Sequence, residues 1–285
     1  SEIIEFEGEM EDEDLIEQEE MVVTVTQTGY IKRTALSEYR EQKRGGKGSQ
    51  GMNTKDEDVV TSLFVANTHT PLLFFTSGGI VYKIKTWRLP QGGRNSRGKA
   101  IVNLLPIDIG SSVAAIMPVD APEEEWKNLQ IVFATAKGKV RKNSLEDFSS
   151  INSSGKIAMK LDNNDKIVGV KICKNDQDVI LSTKYGKCIR FESKKLRIFK
   201  GRSSKGIKGI VLAPNDEIVS LSIIDNDKSK KNGKNSKDKK YEIKAGEKFI
   251  LSITENGYGK KTSHYDYRVT NRGGKGIIGI INSPR

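Results

Sequence analysis

The chain has 285 residues, with 48 Lys and Arg against 37 Asp and Glu and a formal net charge of +11. No apolar run approaches the ~20 residues of a membrane-spanning helix, no Cys/His cluster has zinc-ligand spacing, and the acidic amino terminus is the opposite of a secretory leader. Residues 1–20 hold eleven carboxylates and no Lys or Arg, so the remainder carries 48 basic and 26 acidic side chains, a net of +22. A body that basic suits a polyanionic partner.

In chain order, residues 1–20 read as an acidic connector without packed structure. Residues 21–285 read as one repeating β-rich body. Val22-Val23-Thr24-Val25-Thr26 is a β-branched run, Gln27-Thr28-Gly29 a tight turn, and Tyr30-Ile31-Lys32-Arg33 the returning strand. The same hairpin recurs four times, so that repeats begin near residues 21, 71, 129, 178 and 248. Each copy opens Thr-x-x-Gly-x-x-x-basic: Thr26/Gly29/Arg33, Thr76/Gly79/Lys83, Thr135/Gly138/Lys142, Thr183/Gly186/Arg190 and Thr254/Gly257/Lys261. A second glycine follows in every copy, at Gly48, Gly98, Gly155, Gly206 and Gly276. Arg precedes it by four residues in four copies (Arg44, Arg94, Arg202, Arg272), with Ile151 in the remaining one. Lys47, Lys99, Lys156 and Lys275 adjoin these glycines.

After the second glycine an apolar strand is expected, as at Ile101 to Leu105 and Ile157 to Leu161, followed by a further strand such as Ile167 to Val170 or Ile218 to Leu221. Four strands per unit, repeated five times, predict an all-β fold of stacked, propeller-like units. Helix is minor, confined to a turn or two near 37–41 and 120–127. Residues 225–240 carry seven lysines among polar residues and read as a disordered surface insertion. Cys173 and Cys188 lie in strand-like runs and read as reduced core thiols of an intracellular chain. His69 and His264 stand alone and read as polar loop residues.

Catalytic signatures are missing. Gly46-Lys47-Gly48 and Gly274-Lys275-Gly276 lack the hydroxyl residue a P-loop places after its lysine. Two isolated histidines make no Ser/His/Asp constellation, and no carboxylate pair stands out. By itself the chain reads as a binding module, and charge repeated at fixed intervals points to nucleic acid.

At these residues the sequence resembles the C-terminal domain of the DNA gyrase A subunit. Gln42-Lys43-Arg44-Gly45-Gly46-Lys47-Gly48 is similar to that family's gyrase box, with Lys43 where the family has its first Arg, a change that keeps charge but loses a bidentate fork. Leu36 to Tyr39, Val65 to His69, Ile101 to Pro106 and Asn256 to Lys260 are also family-like, and the likeness extends from Glu17 to Ile281. The resemblance implies a β-pinwheel, a ring or spiral in which neighbouring blades exchange strands, with five repeats visible and a sixth expected. Either the chain is truncated where that sixth would begin, the reading favoured because an uncovered sheet edge is an aggregation hazard, or five units form an open spiral with an unpaired edge. It implies that duplex DNA is bent and wrapped on a basic rim without sequence specificity, enabling ATP-dependent negative supercoiling by the holoenzyme. Residues 1–20 would be the connector from the cleavage core.

The cleavage tyrosine and the ATPase belong to other parts of that enzyme. The resemblance therefore implies no cofactor here, with ATP and Mg2+ used elsewhere in an A2B2 assembly. It implies a bacterial cytoplasmic, nucleoid-associated protein and a monomeric isolated domain. The expected DNA contacts are Arg33, Lys83, Lys142, Arg190 and Lys261 after the hairpins, and Arg94, Lys99, Lys156, Arg202, Arg272 and Lys275 around the second glycines. The box is expected to fix where DNA enters or leaves the wrap. The corresponding domain of topoisomerase IV, presenting DNA for decatenation, is the alternative; a protein-binding propeller of the WD type lacks its Gly-His/Trp-Asp period here.

Overall fold

The computed structural model describes residues 12–39, 58–226 and 247–281. The box, Gln42 to Gly48, and residues 227–240 of the lysine-rich insertion lie outside them. The first repeat supplies β1 (Glu20–Thr26), β2 (Tyr30–Ala35) and β3 (Val60–Asn67). The second supplies β4 (Pro71–Thr76), β5 (Ile80–Lys85), β6 (Lys99–Ala100) and β7 (Val113–Pro118). The third supplies β8 (Gln130–Thr135), β9 (Lys139–Ser144), β10 (Lys156–Ile157) and β11 (Ile167–Cys173). The fourth supplies β12 (Gln177–Thr183), β13 (Lys187–Glu192), β14 (Ile207–Lys208) and β15 (Ile218–Asp225). The last supplies β16 (Phe249–Ile253), β17 (Gly259–Ser263) and β18 (Ile277–Ile278).

The Thr-x-x-Gly signature is a turn device. Gly29, Gly79, Gly138, Gly186 and Gly257 all have φ between 81° and 90°, a region nearly closed to side-chain-bearing residues. Each donates its amide to the preceding threonine's carbonyl. The threonine hydroxyl then accepts an amide at the start of the returning strand: Tyr30 to Thr26 at 3.1 Å, Ile80 to Thr76 at 3.1 Å, Lys139 to Thr135 at 3.2 Å, Lys187 to Thr183 at 3.2 Å and, one residue before β17, Tyr258 to Thr254 at 3.1 Å. The side chain thus satisfies a donor that the tight turn leaves without a ladder partner.

The described strands form four four-stranded sheets, β3-β1-β2-β6, β10-β5-β4-β7, β11-β8-β9-β14 and β15-β12-β13-β18, and one two-stranded sheet, β16-β17. In the first, third and fourth sheets the last strand belongs in sequence to the next repeat: β6 adds to β2, β14 to β9 and β18 to β13. This is the strand exchange expected of a pinwheel. The donated strands are only two residues long, shorter than the sequence suggests. Ile101–Asn103 turns at once into a 3-10 segment, and Ala158 and Met159 both turn their amides to the Gly79 carbonyl. The last hairpin departs from the four-strand expectation: among the described residues β16 and β17 pair only with each other, and Phe249, Leu251 and Ile253 are exposed.

The second glycine follows from the exchange. A Cβ on Gly98 would lie 2.3 Å from the Ile31 carbonyl oxygen, on Gly206 2.6 Å from that of Val140, and on Gly276 2.5 Å from that of Cys188. Only a residue without a side chain lets the donated strand approach this closely.

The chain divides into two compact units. One comprises residues 1–74, 81–122 and 151–156, and holds the sheet β3-β1-β2-β6. Its β1 is buried on both faces from Met21 to Thr26, as a continuous apolar run requires. The other comprises residues 75–80, 123–150 and 157–285. Its core joins Val132, Val140, Val179, Leu181, Phe191 and Leu221. Beside them Phe75 meets Phe133 edge-on at 5.4 Å and Phe148 at 5.9 Å between ring centroids. Cys173 and Cys188 are buried free thiols, and burial pushes each up to about 11.

Two sequence expectations need correction. The acidic leader is partly built in: Asp12–Leu15 forms a 3-10 turn, and Glu13 reaches Lys85 at 2.9 Å. The Thr68 hydroxyl donates to the Glu17 carbonyl at 2.7 Å. His264 is not a loop residue in water but 1% exposed, its Nδ1 accepting the Lys248 amide at 3.0 Å.

Candidate nucleic-acid interface

The cations at the end of the hairpin register were expected on the surface. Three are turned inward. Lys142 is 1% exposed and donates to the Ser193 carbonyl at 2.8 Å and Asn175 Oδ1 at 3.3 Å. Arg190, 6% exposed, pairs with Asp178 at 2.8 Å and donates to the carbonyls of His264 at 2.6 Å and Tyr267 at 3.2 Å. Arg33 is half-buried, its Nε donating to the Leu89 carbonyl at 2.9 Å. Each thus fastens its hairpin to the 3-10 turn after the next hairpin, or to the residue that ends it: Leu89 after Thr86–Arg88, Ser193 of Ser193–Lys195, and His264 of His264–Asp266. Burial lowers the pKa of Arg33 and Lys142, though a desolvated cation held by carbonyls stays useful as a donor. Lys142 and Arg190 are latches, not rim contacts. Lys83 is half-buried, and Lys261 is exposed with its ammonium 4.1 Å from the Phe249 ring centre.

The cations near the second glycines sit differently. Lys99, Arg272 and Lys275 are exposed; Arg94, Lys156 and Arg202 are half-buried. Arg94 and Arg202 lie on two loops of matching construction, residues 92–97 and 200–205. Under the first loop lies Lys32, wholly buried, donating to the carbonyls of Gly93 at 2.8 Å and Arg94 at 2.6 Å. Thr34 adds a hydrogen bond to the Gly92 carbonyl at 2.7 Å. Under the second lies Arg141, also wholly buried, donating to the carbonyls of Arg202 and Ser204, each at 2.6 Å, and of Gly201. Asn143 adds bonds to Phe199 at 3.2 Å and Gly201 at 3.1 Å. Burial lowers the pKa of both cations, against the nearby carboxylates of Glu38 and Asp147.

Aromatic rings flank the same loops. The Arg97 guanidinium stacks 4.0 Å over Tyr30, and that of Arg197 4.4 Å over Phe199. Lys205 is held by Asp162 at 2.7 Å. Lys32 and Arg141 were missed as site residues, although a signal existed: the basic pairs Lys32-Arg33 and Arg141-Lys142 occur in the first and third repeats, where the second and fourth have Tyr82-Lys83 and Ile189-Arg190.

Four-stranded antiparallel sheets joined by strand exchange, with basic loops built over buried cations, define an all-β module of the β-propeller type. The chain belongs to the family described as DNA gyrase C-terminal domain, beta-propeller, whose model matches residues 20–67, 70–119, 130–174, 177–225 and 248–283. It is 44% identical over 306 residues to the DNA gyrase A subunit of Rickettsia bellii (strain RML369-C), the match covering 97% of this chain and 34% of that protein. With the DNA gyrase A subunit of Granulibacter bethesdensis (strain ATCC BAA-1260 / CGDNIH1) it shares 39% over 327 residues, 100% of this chain and 35% of the other. The chain therefore spans about a third of the length of these relatives.

Among solved structures, the C-terminal domain of DNA topoisomerase IV superposes with a TM-score of 0.68 at 27% identity, over 92% of this chain and 73% of that one. The DNA gyrase A C-terminal domain gives 0.68 at 24%, over 91% and 76%, a likeness of fold.

Proposed function

We propose that this chain is the DNA-wrapping part of a gyrase A protein: it binds and bends duplex DNA on its basic loops without reading sequence, so that the complete enzyme can introduce negative supercoils with ATP. The observation that carries this is the exposed cation set Lys99, Arg272 and Lys275, which lies around the second glycines of the second and the last repeats. Such cations contact phosphate, which positions a duplex but does not specify a base.

Bending about 40 base pairs through half a circle costs on the order of 10 kcal/mol. Many weak phosphate contacts, each releasing counterions, must offset that cost, so affinity falls steeply with salt. Cleavage and ATP hydrolysis belong to the rest of the holoenzyme, as do ATP and Mg2+; this chain contributes binding alone. Its partners are duplex DNA, the remainder of the gyrase A protein and the gyrase B protein, in the bacterial cytoplasm. The box cations Lys43, Arg44 and Lys47 fix the entry or exit of the wrap.

Closed circular plasmid relaxed by a type I topoisomerase in the presence of the chain tests this reading. A dose-dependent change of linking number after deproteinisation is expected, its sign giving the hand of the wrap. Duplex binding with no change of linking number would overturn wrapping. It would favour the topoisomerase IV role that the 27% identity to that enzyme's domain keeps in view.

A further inference from the structure

The buried cations do more than anchor two loops. A trans peptide holds its N–H opposite its C=O across the peptide plane, and the described chain has no cis peptides. In loop 92–97 the carbonyls of Gly92, Gly93 and Arg94 are drawn inward by Thr34 and Lys32. The amides of Gly93, Arg94 and Asn95 must therefore face outward. In loop 200–205 Arg141 draws in the carbonyls of Gly201, Arg202 and Ser204, which turns out the amides of Arg202, Ser203 and Lys205. Among the described residues no carbonyl or side chain accepts from any of these six amides.

A second observation points the same way. Arg94 Nε, Arg97 Nε and Arg202 Nη1, all in these two loops, are shut off from solvent and have no hydrogen-bond partner. Donors left without acceptors in this way are rare in folded proteins and ask for an explanation. Successive outward amides beside cationic side chains make an anion-binding concavity, the arrangement by which backbone loops hold phosphate.

We infer that loops 92–97 and 200–205 are two matched phosphate-binding nests, in which Lys32 and Arg141 act as buried positioning residues. The inference rests on the DNA-binding reading and sharpens it. Phosphate is gripped by main chain as well as side chains, and it is gripped unevenly: the first and third repeats have the supporting cation, whereas the second and fourth have Tyr82 and Ile189 in its place. Tyr82 bonds elsewhere, to the Pro106 carbonyl at 2.6 Å. Over Ile189 the loop closes on protein, Gly273 donating its amide to the Gly209 carbonyl at 2.6 Å. The acidic groups near the second nest are Asp162, already held by Lys139 and Lys205, and Asp147, which accepts from Asn143 at 2.9 Å; near the first it is Glu38.

The test is amide NMR on the whole chain, titrated with inorganic phosphate and, separately, with a short duplex of mixed sequence. The six amides are expected to move downfield with both probes, ahead of those at 152–154 and 271–272. Lys32→Met and Arg141→Met should each weaken duplex binding roughly threefold to tenfold and lower the slope of log affinity against log salt by about 0.9, one phosphate's share. Lys32→Arg and Arg141→Lys should restore most of the loss. If duplex binds while the six amides stay still, or move no more than those of the other two loops, the nests are wrong and DNA binding stands. If no duplex binds at low salt, the functional reading fails and takes the nests with it. The wild-type titration decides between these outcomes even if a Met variant does not fold.

Discussion

Lys142 and Arg272 both recur by repeat, yet one is sealed in the protein and the other lies in water. The comparison extends to their sets. The hairpin-end cations Arg33, Lys142 and Arg190 hold carbonyls in, or at the end of, the 3-10 turn after the next hairpin. The cations around the second glycines, Lys99, Arg272 and Lys275, are exposed. Periodic charge therefore has two physical origins in a repeat protein. A periodic partner outside requires it, and so does a recurrent joint inside, because the joints made by Arg33, Lys142 and Arg190 each present backbone carbonyls that need a donor.

The strongest way to break this division is at Arg190, whose partner Asp178 is wholly buried. Removing one member of a buried ion pair leaves the other charge uncompensated and costs about 3–5 kcal/mol. Asp178→Ala should lower the urea midpoint of unfolding accordingly, with duplex affinity of the folded protein unchanged. An unmoved midpoint would return Arg190 to the rim candidates.

Next in size comes the glycine pair that makes the exchange possible. Gly29 and Gly98 both have positive φ, but a Cβ on Gly29 meets nothing within 4 Å, while one on Gly98 meets the Ile31 carbonyl oxygen at 2.3 Å. Gly29→Ala should cost about 1 kcal/mol, the price of a left-handed alanine. Gly98→Ala adds displacement of β6 from β2 and should cost about 3 kcal/mol in the same urea assay. Equal costs would mean that the second glycine serves its own turn only.

How much of this was legible in the sequence follows from the same contrast. The hairpins were, because Thr-x-x-Gly is a local device: Thr26 and Gly29 complete it within five residues. So was the repeat itself, and with it the all-β fold. The direction of Arg190 was not, because it depends on Asp178 across the hairpin and on His264, 74 residues away. Nor could the length of β6 be read from Ile101 to Leu105: an apolar run does not say whether it is a strand or a 3-10 turn once its ladder partner, β2, comes from another repeat. The burial of His264 was missed for a like reason, since its cover arrives from Lys248 and Arg190.

On the outward side of the comparison the effects are small in stability and large in salt dependence. Arg272→Ala and Lys275→Ala should change the unfolding free energy by no more than ~0.5 kcal/mol, since both side chains are exposed. Each variant that loses a phosphate contact should lower the salt slope of duplex binding by about 0.9. Fluorescence anisotropy across a salt series checks this. A variant that lost stability without losing slope would join Lys142 among the latches.

The smallest effect lies where the two sets meet. Asp162 takes hydrogen bonds from Lys139 and Lys205, which lower its carboxyl from 3.8 to about 2. A carboxylate whose folded-state pKa is depressed contributes stability above its unfolded value and loses it as pH falls through the folded one. The difference in thermal midpoint between wild type and Asp162→Asn should therefore be constant at neutral pH, shrink below pH 3.8 and vanish near 2. It should also be modest, since Asp162 and Lys139 are partly exposed and Lys205 is exposed, so solvent screens the pairs. The same variant frees Lys205 on the outer side of its loop, so at neutral pH it should bind duplex slightly more tightly and with a steeper salt slope. Asp162 then acts as a tether that holds a rim lysine back from phosphate. A variant that lost the pH-dependent stability but left duplex binding untouched would confine Lys205 to the inward set.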